Sequence, residues 1–304
     1  MAHDHGAHVH GVAPGTDRRR LAAALALILA LMAAECASGV LAHSLALLSD
    51  AGHMLIDAVT IGASLLALRL ASRPPGGALT FGLKRVEILS ALASGITLLI
   101  LAALIAYAAA RRLFAPPHVH AGLVLVVALA GAFVNLLAVW TLSGADRRSL
   151  NVEGSFQHIL VDLYGFIGTA IAAAVILASG FQRADPIASL SIAVLMTRSG
   201  VALVKASGRV FLEAAPEGLD PQAIGRALVA QADVVEVHDL HVWEVTSGFP
   251  ALSAHVLVGP DSDCHAARRQ IEAMLHERFA LDHTTLQVDH AASELLEIAP
   301  VQAP

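Results

Sequence analysis

Ser49–Asp57, SDAGHMLID, is a polar knot in an apolar stretch, with HSLALL before it and AVTIGASLLALRL after it. Those surroundings read as membrane. Asp50, His53 and Asp57 stand at i, i+3 and i+7, which places all three on one face of a helix. Ionisable groups in a bilayer are costly; they face a bundle interior or a water-filled cavity, and they pair or bind something. A second segment repeats the pattern, because His158 and Asp162, at i and i+4, precede the apolar run GFIGTAIAAAVILA. Two helices that each offer a His and an Asp make a four-ligand cage for a divalent metal.

Composition agrees with a membrane protein. Of 304 residues, 56% are hydrophobic and only 14% charged, where a soluble domain carries about 25% charge. The net charge of −6, with no basic block, argues against nucleic acid as a partner. Cys36 and Cys264 stand in different regions without a CxxC pair, so neither a disulfide framework nor a thiolate zinc cluster is expected. The compositional anomaly is 16 histidines, for which metal is the physical reason. The first apolar run after Arg18-Arg19-Arg20 is long enough to span and others follow, so it is not read as a cleavable signal peptide.

Residues 1–16, MAHDHGAHVHGVAPGT, read as a disordered tail. Its His3, His5, His8 and His10 have two readings, weak metal capture near a pore mouth or a solvated tail. Apolar segments follow at 21–42, 45–70, 86–110, 121–142, 151–179 and 185–208. Each can cross a hydrocarbon core of roughly 30 Å, which takes about 20 helical residues. Six transmembrane helices are therefore expected over 17–209, with both termini on one side. Arg18–Arg20, Arg69, Arg73, Lys84, Arg85, Arg147, Arg148, Lys205 and Arg209 flank that side, against Arg111, Arg112 and Arg183 on the other. This bias places both termini in the cytoplasm. Glu35 reads as a packed structural acid, Lys84 and Glu87 as a local ion pair, Asn135 as interhelical glue and Trp140 as an interfacial aromatic.

From Arg209 the character changes. Asp220-Pro221 starts a helix, with Asp as N-cap and Pro at N1. Val234–Val245 and Leu252–Val258 read as strands around the turn TSGFP, Ser262–Phe279 as a helix and Thr284–Val288 as a third strand. The order α-β-β-α-β over 210–292 predicts a small α+β domain with helices on one face of a sheet. Residues 293–304 read as a frayed C-terminal tail. At about 80 residues the domain is small enough that a second copy would support it.

The metal reading is chemical. Imidazole nitrogens and carboxylate oxygens suit tetrahedral Zn²⁺, and two carboxylates neutralise its charge in low dielectric. The ring titrates near neutrality, so metal competes with protons, and metal out for proton in is the simplest coupling. Asp50 is one ligand too many and is assigned to an outer-shell or helix-entry role. An intramembrane metalloprotease would want HExxH, which the chain lacks. No enzyme activity is expected. A membrane-anchored metal sensor or scaffold is the alternative, and it would not need the pairs at His53/Asp57 and His158/Asp162.

SLALLSDAGHMLIDA, FGLKRVEILSALASG, NVEGSFQHILVDLYGFIG and VHDLHVWEVTSGFPALSAHVLV resemble the cation diffusion facilitator family, in its zinc-transporter branch near the bacterial zinc/cadmium/cobalt efflux members. The likeness runs from about residue 17 to 290. It implies a homodimeric six-helix transporter in the inner membrane that exchanges cytoplasmic Zn²⁺, with Cd²⁺ and Co²⁺ as further cargo, for protons. It implies a metallochaperone-like cytoplasmic domain, and transport ligands at His53, Asp57, His158 and Asp162. A His at the place of His53 goes in the family with preference for zinc over cadmium. Leu83 stands where some members carry a His for a further metal site in the loop between helices two and three, so that site is expected to be absent. In the cytoplasmic domain the resemblance implies a regulatory metal site at His238, His255, His265, His283 and Asp289. Gln287 takes a place held by His in some members, while His241, His276 and His290 have no counterpart and read as surface residues.

Overall fold

The computed structural model describes residues 14–41, 45–115 and 120–291. The four histidines of the N-terminal tail, with His118, lie outside the described residues, as does the C-terminal tail. The chain divides into two compact units between Gly208 and Arg209.

Among the described residues the chain has six long helices before the sheet, α1 Pro14–Leu41, α2 Leu45–Ala71, α3 Val86–Phe114, α4 Ala121–Ser143, α5 Leu150–Ser179 and α6 Ala184–Phe211, and the end of α6 crosses the boundary between the units. Among the described residues, α3, α4, α5 and α6 each carry a stretch long and apolar enough to cross a bilayer. At 1.5 Å per residue the 27 residues of α2 extend about 40 Å. Helix α1 starts earlier than its apolar segment because a helix does not need lipid to continue. Pro14 sits at its first position and Asp17 in its first turn, both favourable at a helix N-terminus. Asp17 is buried and its Oδ1 accepts the Asp146 backbone N–H at 3.1 Å, tying α1 to the loop before α5.

One core joins α1 (Leu21, Ala24, Ile28), α2 (Met54, Ala58, Ile61), α4 (Ala138, Leu142) and α5 (Val152, Phe156, Ile159). A second joins Leu98 and Ala102 of α3 to Val161 of α5 and Met196 of α6. A third joins Ala121 of α4 to Ala173 and Ile176 of α5. Helix α5 contributes to all three, so it is the axis on which the others pack. Val59, Leu66, Leu104, Val126, Phe133 and Val194 point outward, as lipid-facing residues do. Trp140, 76% exposed near the end of α4, agrees with an interfacial aromatic. Small residues allow close approach. A Cβ on Gly131 would come within 2.3 Å of the Phe166 ring, and one on Gly200 within 3.0 Å of the Gly95 carbonyl oxygen.

One expectation changes here, and another contact is added. Buried Asn135 donates Nδ2 to the Gly131 carbonyl at 3.0 Å, so the bond it makes serves its own helix and not a neighbour. Glu87 is buried and its Oε1 accepts from Ser149 Oγ at 2.5 Å, which links α3 to the N-cap of α5 in addition to any local pairing.

The second unit has α7 Pro221–Val229, β1 Val234–Glu244, β2 Pro250–Val258, α8 Cys264–Phe279 and β3 His283–His290. The sheet order is β1-β2-β3, antiparallel then parallel. Asp220 caps α7 through Gln222 N–H, with Pro221 following it. Asp263 caps α8 by accepting from the His265 and Ala266 N–H groups, which holds its carboxyl below its ordinary value. Ile224 and Leu228 of α7 and Ile271 and Leu275 of α8 pack with Leu252, Ala254, Val256 and Val258, alternate residues of β2. Both helices thus cover one face, and the intervening residues, Ser253, His255 and Leu257, lie on the other.

Candidate metal centre

Helices α2 and α5 meet at three acids and bases. Ligand atoms of Asp57, His158 and Asp162 all lie within 4.8 Å of one another. His158 Nε2 is 2.8 Å from Asp57 Oδ1 and 3.8 Å from Asp162 Oδ2. A carboxylate only accepts, so in this pair Nε2 donates. Tetrahedral zinc with ligand bonds of about 2.0–2.1 Å sets ligand-to-ligand separations near 3.3–3.4 Å. The two observed distances bracket that value. His158 is fully buried, Asp57 nearly so, and His158 Nδ1 finds no hydrogen-bond partner. Three groups of this kind in an apolar bundle suit a divalent cation.

The local fold explains the convergence. Ser149 caps α5 by accepting the Val152 N–H, and Gly180, at φ 71°, ends it in the left-handed region. Thirty helical residues between these signals hold His158 and Asp162 one turn apart on one stripe. His53 lies in α2 one turn before Asp57, and its side chain lies outside the described residues, as do those of Asp50 and Glu35. The structure therefore brings together three of the four residues read as transport ligands.

In the second unit another group of three forms on the open sheet face. His238 and His255 are directly opposed across β1 and β2, with ring centroids 5.1 Å apart. Asp239 completes a group whose ligand atoms lie within 4.8 Å of one another. Its Oδ2 is 3.4 Å from His238 Nδ1 and 3.9 Å from His255 Nδ1. Sequence reading did not single out Asp239. Regular alternation after His238 would turn Asp239 into the core, but the register shifts between His238 and His241. One extra residue there re-aims the side chains, and Asp239 takes φ 50°, which Asp tolerates better than most residues. Leu240 then packs against the core and Asp239 stays outside. The signal was present: the core residues Val237, Leu240 and Val242 are spaced by three and then two.

The other cytoplasmic histidines read as ligands stand outside that group. His265 is exposed in the first turn of α8, and His283 opens β3 with its ring 5.3 Å from Phe249. Asp289 accepts from Gln287 Nε2 at 2.8 Å. Gln287 is the β3 partner of His255, so an amide extends the row His238–His255. His241 is exposed. His276 and His290, also exposed, bond Asp282 and the Ser262 carbonyl. Half-buried Glu244 accepts from Gly248 N–H at 2.6 Å, and burial pushes its carboxyl above the ordinary value.

The cation efflux transmembrane domain matches residues 21–212, and the cation efflux protein cytoplasmic domain matches 216–291. The chain is 37% identical over 290 residues to a cadmium, cobalt and zinc/H(+)-K(+) antiporter of Bacillus velezensis, covering 94% of this chain and 92% of that protein. It is 36% identical over 292 residues to the zinc transporter ZitB of Escherichia coli, covering 95% of this chain and 93% of the relative. Among solved structures, the metal-bound C-terminal domain of the CzcD transporter from Cupriavidus metallidurans is 28% identical, covers 23% of this chain and 97% of that domain, and aligns with a TM-score of 0.22. With matched domains extending from α1 to the end of β3, the chain belongs to the cation efflux family.

Proposed function

We propose that the protein exports divalent metal, zinc foremost with cadmium and cobalt as further cargo, in exchange for protons. Relatives carry these ions in their names, and it is a transporter rather than an enzyme. The observation that carries the reading is the buried group Asp57, His158 and Asp162 between α2 and α5. His53, one turn from Asp57, is assigned as the fourth ligand. His158 Nε2 can hold a proton toward Asp57 or coordinate a metal ion, and not both. Cargo release and proton uptake therefore compete at one atom. The two carboxylates offset the double charge of the ion, which permits its residence away from water.

The transport unit is assigned to residues 17–209 and the cytoplasmic domain to 210–292, with both termini in the cytoplasm on the strength of the flanking arginines. The protein works as a homodimer in the cell membrane. His238, Asp239 and His255 would hold a regulatory zinc ion, and their ligand spacing fits one. His265, His283 and Asp289 are assigned to it only through family resemblance.

The test is metal flux in reconstituted vesicles with several ions and an imposed pH gradient. Zinc uptake that follows the gradient is expected. Zinc binding without flux would favour a membrane-anchored sensor, and flux indifferent to the gradient would remove the proton coupling.

A further inference from the structure

The polar stripe on α5 does not stop at His158. Asn151, Ser155, His158 and Asp162 stand at i, i+4, i+7 and i+11, which falls on one face. On α2 the facing positions are Asp57 and, two turns on, Ser64. Asp57 meets His158, whereas Ser64 meets Ser155 and Asn151, so the two helices run antiparallel. Ser155 Oγ donates to Ser64 Oγ at 2.9 Å, and Asn151 Nδ2 donates to the Ser64 carbonyl at 2.8 Å. This contact lies about 10 Å along α2 from Asp57, toward the N-terminal end of α5.

Each member is sealed. Ser64 and Ser155 are fully buried, Asn151 is 1% exposed, and Ile61, Val152 and Ile159 beside them are fully buried. An ion approaching Asp57 and His158 along the α2–α5 seam from that end meets closed packing. The chemistry of the closure is nonetheless hydrophilic. Asn151 Oδ1 is buried without a hydrogen-bond partner, and such an acceptor is unfavourable while sealed and satisfied once water or a cation reaches it. Hydroxyl and amide oxygens can pass a divalent ion along without retaining it as carboxylates and imidazoles do. A purely mechanical clamp would be served as well by the isoleucines around it.

We propose that Ser64, Ser155 and Asn151 form a gate on the α5 N-terminal side of the transport site, parting to admit ions and closing α2 against α5 to seal that side. The proposal rests on the reading of Asp57, His158 and Asp162 as the transport site. It makes Ser64, Ser155 and Asn151 positioning and access residues, not metal ligands at rest.

The test is a Ser64→Cys/Ser155→Cys double variant, in a background with Cys36→Ser and Cys264→Ser, reconstituted in vesicles. Oxidation with diamide is expected to lower zinc flux at least tenfold, and a reductant to restore it. A cross-linked protein, verified by mass spectrometry, that transports at the reduced rate would overturn the gate. Asp57→Ala, which the transport-site reading requires to be inactive in either redox state, separates the two claims. Should the double variant fail to fold or cross-link, the single Ser155→Cys variant decides. Under zinc turnover it is expected to react with a cationic methanethiosulfonate reagent from the side of the α4–α5 loop. A transporting variant that stays unlabelled there overturns the proposal.

Discussion

His158 Nε2 lies 2.8 Å from Asp57 Oδ1, and this bond joins α5 to α2 in the interior of the helical unit. A buried pair of this kind gives little net stability, because desolvation cancels much of the attraction. Changing Asp57 to Ala removes one carboxylate and one interhelical bond together. Loss of an outer-shell partner of a metal lowers affinity or activity about 10–100-fold, and a direct ligand costs more. Zinc flux in vesicles should therefore fall by more than about 100-fold, while circular dichroism and elution of the protein stay as in the wild type. Flux within a few-fold of normal would remove Asp57 from the site.

Asp239 beside His238 and His255 makes a separable prediction. Zinc at about 100 times its dissociation constant stabilises the state that binds it by roughly 2.7 kcal/mol. The wild-type protein should show a zinc-dependent rise in the unfolding temperature of its cytoplasmic domain. His255→Ala should abolish that rise and Asp239→Asn should reduce it, with zinc transport measured in parallel. An undiminished rise in His255→Ala would move the regulatory ion elsewhere in the domain.

Much of this was legible from spacing. Each of the six apolar runs lies inside one of the six helices to within a residue, and the α-β-β-α-β order of the second unit is the one observed. The i, i+4 pair on α5 faces Asp57 on α2 as a helical period requires. The rest lay beyond periodicity for physical reasons. Asp239 depends on a bulge, which shows only once β1 is paired with β2. The Ser64–Asn151 bond joins residues far apart in sequence, and single serines and asparagines in an apolar helix carry no pattern. The composition of an apolar helix points to Asn135 as interhelical glue, whereas its amide bonds the Gly131 carbonyl four residues back on the same helix.

Gly131 tests the packing of α4 on α5. An added Cβ would approach Phe166 ring atoms to 2.3–2.6 Å, a distance that requires the ring or the helix to move. Overpacking of this sort costs about 1–3 kcal/mol. Gly131→Ala should lower the unfolding temperature in detergent, and a paired Phe166→Leu should recover part of the loss. Equal stability of Gly131→Ala and wild type would show that the two helices do not pack this closely.

Glu244 gives a pH dependence of known sign. Burial raises its carboxyl above the ordinary value of 4.5, against the lowering effects of the Gly248 N–H and Arg209. The folded domain thus binds a proton more tightly there than the unfolded chain does. The stability linked to this group is complete below the unfolded value and is lost as pH rises through the folded one. At neutral pH the carboxylate is consequently a burden, while its Oε1 still serves as acceptor for Gly248 at 2.6 Å. Glu244→Gln keeps an acceptor oxygen and removes the charge. In a Trp140→Phe background, where Trp243 of β1 is the remaining tryptophan, its fluorescence reports unfolding of this domain. The variant should be more stable than its parent at pH 7 and should lose that advantage as pH falls toward 4.5. A variant less stable at pH 7 would mean that the carboxylate is held by favourable charge after all, with Arg209 outweighing burial.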